Sequence, residues 1–183
     1  MPNINLSNVE ENDMGGFEHI EPGGYVLVVR AVEDCSDRQH VKLVWDVAEG
    51  PRKGAYAKSS YPPKDTLSWK ETALPMLKHK LHVLADCNPG FDAEGAFQRD
   101  DWTAFSGKVF GAVVRKYLYT RDDGTPGERV EIGAWKRVDE IREGKWRPMG
   151  PRDQRKPEPA PVAAPSAEAV AAAQALADDD LPF

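Results

Sequence analysis

Several features that would assign a function directly are missing from this sequence. Its 183 residues include only two cysteines, far fewer than a disulfide-stapled secreted scaffold needs. No stretch approaches the roughly 18 apolar residues of a transmembrane helix. The first residues, M-P-N-I-N-L-S-N-V-E-E-N, have neither the basic nor the apolar part of an export signal. We therefore expect a cytoplasmic protein with two free thiols and no association with a membrane.

Motifs of the common enzyme classes are absent as well. There is no G-x-x-x-x-G-K-[ST] loop, no G-x-G-x-x-G after a strand and no G-x-S-x-G nucleophile turn. Of the four histidines, His79 and His82 are spaced as a helical pair, but no Cys, Asp or Glu stands where it would complete a metal site. We expect a protein that is not an enzyme and uses no metal or other cofactor. The enzyme alternative would require a site built from scattered carboxylates.

Charged residues are plentiful but unevenly distributed. Of the net charge of −6, residues 157–183 contribute −5 and include no Lys or Arg. Residues 1–50 carry 3 basic and 10 acidic side chains, whereas residues 108–156 carry 13 basic and 8 acidic ones. Such segregation indicates electrostatic partners, although a mixed surface kept charged for solubility explains it equally well.

The composition changes at Pro148. From there R-P-M-G-P-R-D-Q-R-K-P-E-P-A-P-V-A-A-P-S is rich in proline and in small or polar residues, which predicts an extended linker. The alanine-rich residues 167–177 favour a helix, but an isolated helix of about three turns is marginal in water. We predict one domain over residues 1–148, a disordered linker over 149–177 and an acidic tip over 178–183.

Five segments of the predicted domain have strand patterns. Residues 25–32 form a β-branched run after the turn E-P-G-G, and residues 40–47 alternate between apolar and polar. Residues 55–61 predict a short third strand that ends before two prolines. Residues 108–119 and 129–138 flank the turn D-D-G-T-P-G, which predicts a hairpin.

One long helix is predicted between the third and fourth strands. Leucines spaced by three and four place it over residues 66–87, with Ser68 and Glu71 as a capping box. Pro75 interrupts the pattern and predicts a break or kink near Leu74. The order β-β-β-α-β-β is typical of a five-stranded OB-type barrel, a mainly β fold that binds nucleic acid or oligosaccharide on one face. A generic α+β domain is the alternative.

Basic and aromatic residues alternate along several of these segments. Single-stranded nucleic acid is held by cations that follow the phosphates and by rings on which bases stack, each stack contributing about 1–3 kcal/mol. Packing in or beside the core is the alternative for each ring, but base stacking is favoured for Tyr117 and Tyr119, which share a strand face with Arg115. The candidate DNA-binding residues are Lys42, Tyr56, Lys58, Tyr61, Trp69, Lys70, Arg115, Tyr117, Tyr119, Trp135 and Lys136.

A further basic and aromatic cluster, Lys145 to Arg147, stands at the end of the predicted domain.

The last six residues, D-D-D-L-P-F, are the most specific motif. They strongly resemble the acidic tip of bacterial single-stranded DNA-binding proteins, in which a disordered linker also ends in a run of Asp, a hydrophobic residue, Pro and Phe. The resemblance implies that the tip recruits replication, recombination and repair proteins, which hold the Phe ring in an apolar pocket and its carboxylate with a basic side chain. The partner-binding residues would be Asp178, Asp179, Asp180, Leu181, Pro182 and Phe183.

The predicted domain resembles a different group of proteins. E-P-G-G-Y-V-L-V-V, V-K-L-V-W-D-V-A-E-G, N-P-G-F, G-K-V-F-G-A-V-V-R-K-Y and V-D-E-I-R-E-G-K-W-R-P are similar to segments of phage-encoded single-stranded DNA-binding proteins with an OB-type fold. The resemblance implies sequence-independent coating of single-stranded DNA in the cytoplasm of a bacterial host. The alternative is a protein–protein adaptor that carries the tip but binds no DNA. The oligomeric state, including a homo-oligomer, stays open.

Overall fold

The computed structural model describes residues 19–155, so the acidic tip and most of the predicted linker lie outside the described residues. Within them the chain forms six strands and three α-helices. The strands are β1 (Gly23–Cys35), β2 (His40–Val47), β3 (Lys64–Ser68), β4 (Val109–Thr120), β5 (Pro126–Lys136) and β6 (Arg152–Gln154). The helices are α1 (Leu74–Cys87), α2 (Ala93–Gln98) and α3 (Val138–Arg142).

All six strands belong to one sheet, in which β1 is central. The order is β3-β2-β1-β4-β5, with antiparallel pairing throughout, and β6 pairs with β4 in parallel beside Tyr117. The outer strands β3 and β5 do not pair with each other in the described residues, so the sheet is open. The prediction of a mainly β fold with an inserted helix is confirmed, and the five-stranded barrel that was predicted is present as an open sheet.

Four of the predicted strands are confirmed as β1, β2, β4 and β5, and the third is wrong. Residues 55–61 contain turns and bends, and β3 begins only at Lys64. The segment is fixed by Tyr56, whose ring packs edge-on against Trp45 at 5.7 Å between centroids. Its backbone N–H donates to the buried Asp46 carboxylate at 3.0 Å. The alternation that predicted a strand in this segment reflects one buried ring, that of Tyr56, among exposed neighbours.

The predicted helix begins later than residue 66. Residues 64–68 form β3 instead, and α1 begins at Leu74, where a break was predicted. Pro75 lies in the first turn of α1, where its missing N–H leaves no intrahelical bond unmade, so it does not interrupt the helix. The predicted capping box is wrong, because the Ser68 hydroxyl donates to the backbone of Gln39 and the N-cap of α1 is Ala73.

The main core lies between the inner face of the sheet and α1. The predicted apolar face of β2, which includes Trp45, is fully buried there together with Phe110 of β4 and Leu84 of α1. A smaller cluster covers the outer face, where Val26 and Val113 pack under Ile141 of α3.

The described residues include both cysteines and the three α-helices in which a membrane span could be sought. Cys35 and Cys87 are both free thiols, as predicted. No helix within residues 19–155 has the length and apolar character that a membrane crossing requires.

Candidate nucleic-acid interface

A groove of about 820 Å³ opens between the two outer strands of the sheet. One wall is formed by residues 60–66, which include the first half of β3, and the other by residues 128–132 of β5. Tyr119 of β4 and Arg152 of β6 also line it. The groove occupies the space that remains because β3 and β5 do not pair.

Cations outnumber acids along this groove. Its lining includes five Lys and Arg side chains and three carboxylates. Glu131 neutralises part of the charge, since it accepts from Arg115 Nε at 2.8 Å and lies 3.9 Å from Arg152 Nη1. Within residues 19–155, Lys42 and Arg129 form no ion pair. The five cations are Lys42, Lys64, Arg115, Arg129 and Arg152.

The β4–β5 hairpin places two tyrosines and an arginine together. Its turn is fixed by Asp123, whose carboxylate accepts from the backbone N–H of Thr125 at 2.9 Å. In the resulting register Tyr117 lies opposite Arg129, so the two side chains share one face. The Tyr117 and Tyr119 rings stack with 5.8 Å between their centroids. The two rings and the guanidinium of Arg129 therefore lie together on one face of the hairpin.

The guanidinium groups lie over the tyrosine rings. Arg129 is 4.5 Å from the Tyr117 centroid and 5.7 Å from that of Tyr119, and Arg152 approaches Tyr117 at 5.6 Å. The Tyr117 hydroxyl shares a hydrogen bond of 2.5 Å with the side-chain amide of Gln154. These cation–π contacts hold planar cations where a base could stack on a guanidinium or replace it over the ring.

Tyr61 provides an uncovered ring at the rim of the groove. Its side chain is 83% exposed, and it lies among the residues that line the groove. The two prolines that follow it fix the backbone direction, because each proline restricts φ. Among the candidate aromatic residues, Tyr61 is thus the one with both faces open to a base.

Two candidate rings belong to the core instead. Tyr56 borders the groove but is only 6% exposed, and its hydroxyl oxygen accepts from the Ile20 N–H at 3.2 Å. Burial raises the pKa of this hydroxyl. Trp135 is 5% exposed and stacks on Phe110 at 3.9 Å. Neither ring has a face open to a base, so for both residues the packing alternative is correct.

The remaining candidates lie outside the groove. Trp69 is half-buried with its ring edge-on to Phe97 at 5.7 Å, and Lys58 and Lys70 are exposed but do not line the groove. Lys136 pairs with Glu140 at 3.2 Å and faces a separate cavity. The structure brings together Lys42, Tyr61, Arg115 and Tyr119, with Tyr117 beside them.

Three groove cations were not among the candidates. Arg129 could have been found from the hairpin register, which places it opposite Tyr117. Lys64 was assigned no element, and Arg152 was assigned to the linker, where it forms the short strand β6. Nothing in the local composition of P-R-D-Q-R indicates a parallel strand.

A half-buried carboxylate links the two walls of the groove. Asp65 of β3 accepts from Lys80 Nζ of α1 at 2.6 Å and from the indole N–H of Trp135 of β5 at 2.7 Å. Lys80 is 8% exposed and also donates to the Thr66 carbonyl at 2.8 Å. The outer strands are therefore held near each other by side chains, although their backbones do not pair.

The groups available along the groove are cations, rings and carboxylates. In the part of the chain that the structure describes, no three His, Cys, Asp or Glu side chains are grouped so that they could hold a metal ion. No protein-family model matches the chain, and no curated protein is significantly similar to it.

Proposed function

We propose that this protein binds single-stranded DNA through the groove between β3 and β5, largely independently of sequence, and is not an enzyme. The supporting observation is the grouping of five cations with Tyr61 and Tyr119 along one channel, with Tyr117 stacked on Tyr119 beside it. Cations that follow a backbone and rings that accept any base are the means by which single strands are bound without sequence readout. The resemblance of the domain to phage-encoded proteins supports a role in phage DNA replication and recombination in the cytoplasm of the host.

We infer that the sheet is a partly open barrel of the OB type. The five antiparallel strands β1–β5, with α1 and α2 between the third and fourth, support this inference, as does the pairing of β1 with both β2 and β4. The Asp65 contact to Trp135 supports it further, because it joins the two strands whose pairing would complete the barrel. The opening between them is then the binding channel.

The acidic tip is proposed to recruit partner proteins of replication, recombination and repair. Its acids would attract a basic partner surface, and Phe183 would provide an apolar anchor. The proposal rests on the resemblance of D-D-D-L-P-F to the bacterial tip. In this arrangement the domain and the tip have different ligands.

The experiment that tests the groove is a titration of an oligothymidine and of a DNA duplex at several salt concentrations. A single strand releases about 0.7 counterion per neutralised phosphate, so three to five contacts give a slope of log K on log salt of about −2 to −3.5. Duplex should bind more weakly. Affinity that does not depend on salt, or equal affinity for duplex, would contradict the proposal.

A protein–protein adaptor is the second candidate. The pairing of Arg115 with Glu131 favours it, because this cation is already partly neutralised. Replacement of Arg115, Tyr117 and Tyr119 by alanine separates the two functions. A DNA-binding protein loses affinity for the oligothymidine, whereas an adaptor has no such affinity to lose.

A further inference from the structure

A second cavity, of about 520 Å³, lies under the loop that follows α3. Val113 of β4 and Ala134 of β5 form its floor, and Trp146 and Met149 of the loop stand beside them. Val113 belongs to the outer apolar cluster, whereas its neighbour Ala112 lies in the main core, so the cavity is on the outer face of the sheet.

Two glycines leave room for this loop to pack closely against the sheet. A Cβ at Gly24 of β1 would lie 2.4 Å from the Trp146 ring, and one at Gly133 of β5 would lie 2.6 Å from Met149 Sδ. The indole and the thioether thus pack where only a glycine leaves room. The backbone N–H of Lys145 also donates to the Glu140 carbonyl at 2.8 Å. These contacts fix the loop, so the cavity is a built feature of the fold.

The cavity adjoins the groove through Arg115. A Cβ at Gly133 would also lie 3.1 Å from Arg115 Cδ, so Met149 and Arg115 meet over the same glycine. Alternate residues of a strand share a face, which places Val113, Arg115, Tyr117 and Tyr119 in one row along β4. The row begins in the cavity and ends in the groove.

Three cations surround the cavity, and the ion pairs that they form are weak. Lys145 pairs with Glu143 at 2.5 Å at exposed positions, and Lys136 pairs with Glu140 at 3.2 Å at half-buried ones. Arg147 forms no ion pair within residues 19–155. An exposed pair contributes only about 0–1 kcal/mol, so a phosphate can replace Glu143 beside Lys145.

We propose that a single DNA strand bound in the groove continues along β4 into this cavity, with a phosphate at Lys145 and Arg147 and a base beside Trp146. The inference rests on the proposed function and names a second part of the same binding surface. DNA is favoured over an acidic peptide because the cavity is continuous with the row of Arg115 and the tyrosines. The contribution of Lys145 and Arg147 should depend on the length of the strand.

The test compares oligothymidines of about 6 and about 30 nucleotides, which bracket the site sizes of single domains. In the full-length Lys145→Ala/Arg147→Ala variant, affinity for the long strand should fall at least about tenfold at low salt, with a salt slope smaller by about 0.7. Affinity for the short strand should not change. The matched control is Arg38→Ala/Arg99→Ala, which removes two exposed charges outside both sites and should leave both affinities unchanged.

Three results would overturn the inference or its basis. If the double variant binds both strands like the wild type, the cavity carries no DNA although the groove function stands. If it loses affinity for the hexapeptide D-D-D-L-P-F but not for the long strand, the cavity takes an acidic peptide. If the wild type binds neither strand, the proposed function itself fails. As a second readout, a long strand with bromodeoxyuridine should photo-cross-link to Trp146 or Met149, and cross-links confined to the groove would also contradict the extension.

Discussion

Tyr56 and Tyr61 are close in sequence and have the same side chain, but their surroundings differ completely. Tyr56 is 6% exposed, with its ring against Trp45 and its hydroxyl oxygen accepting from Ile20. Tyr61 is 83% exposed at the groove rim. The first residue stabilises the fold, and the second is available to a ligand. Substitutions at the two positions should therefore have separable effects.

We expect Tyr61→Ala to weaken binding of an oligothymidine by about 1–3 kcal/mol, because one stacking ring is removed. Its stability should change by no more than about 0.5 kcal/mol, since the side chain is exposed. Fluorescence titration and thermal unfolding measure the two quantities. Tyr61→Phe is the control and should bind like the wild type, because stacking needs no hydroxyl. Unchanged affinity in Tyr61→Ala would exclude this ring from the interface.

Tyr56→Phe should have the opposite profile. The Ile20 N–H loses its buried acceptor, which costs about 1–3 kcal/mol of unfolding free energy, while DNA affinity stays unchanged. Burial raises the pKa of this hydroxyl above its ordinary value of 10.0, so the folded state holds the proton longer than the unfolded state. Wild-type stability should then fall as the pH rises above about 10, and less so in Tyr56→Phe. If urea unfolding shows that wild type and Tyr56→Phe lose the same unfolding free energy above about pH 10, this assignment is contradicted.

At the scale of elements, β3 is the strand on which the groove depends. It is only five residues long and, within residues 19–155, pairs only with β2. Its position relative to β5 is fixed through Asp65, which joins it to Trp135 and to Lys80 of α1. The width of the channel therefore depends on one carboxylate.

Asp65→Ala should lower the unfolding free energy by about 3–5 kcal/mol, because it leaves the buried Lys80 ammonium without its counter-charge. The double variant Asp65→Ala/Lys80→Met should recover part of this loss, since the unpaired charge is removed too. Chemical denaturation gives both values. Glu94→Ala, which breaks an exposed pair with His82, is the control and should cost less than about 1 kcal/mol. A double variant no more stable than Asp65→Ala would show that the charge is not the cause.

The sequence predicted those elements whose pattern reflects their own burial. The sequence of β2 alternates because one face of the strand packs against the core. The turn residues between β4 and β5 indicate the hairpin that joins them. The strands β3 and β6 were missed because they are short and mostly exposed, and are held by pairing with distant segments. The prediction of a third strand is wrong because the single buried ring of Tyr56, between exposed neighbours, resembles the alternating burial of a strand.

The candidate site was predicted in part for the same reason. Arg115, Tyr117 and Tyr119 were grouped correctly because strand periodicity fixes a shared face. Trp135 was misassigned because its place opposite Ala112 in the core follows from the hairpin register, which the sequence alone did not determine. The groove itself depends on the distance between β3 and β5, which no local pattern encodes.

In the whole molecule, the described region and the rest of the chain differ in net charge. Residues 19–155 carry 23 basic and 21 acidic side chains, a net charge of +2, whereas the remaining residues carry 1 basic and 9 acidic side chains, a net charge of −8. The acids of the tip can therefore compete with DNA for the groove cations. Salt weakens both interactions, so the competition should be strongest at low ionic strength.

Deletion of residues 178–183 should leave DNA affinity unchanged or raise it, most of all at low salt, and should abolish partner binding. Titration with oligothymidine and affinity capture of replication and recombination proteins measure the two effects. Phe183→Ala is the informative control, because it keeps all three aspartates and should lose partners without any gain in DNA affinity. Loss of DNA binding on deletion would show that domain and tip do not have separate ligands.

The short parallel strand β6 has a consequence for how the interface responds to a ligand. Its three residues are all exposed, and it is held to β4 by a few backbone contacts and by the side chains of Arg152 and Gln154. Such a peripheral segment opens locally at far lower free energy than the strands it joins. Its amides should exchange with deuterium early while those of β4 stay protected, and a bound strand that engages Arg152 should slow that exchange. The edge of the sheet would thus report whether the groove is occupied.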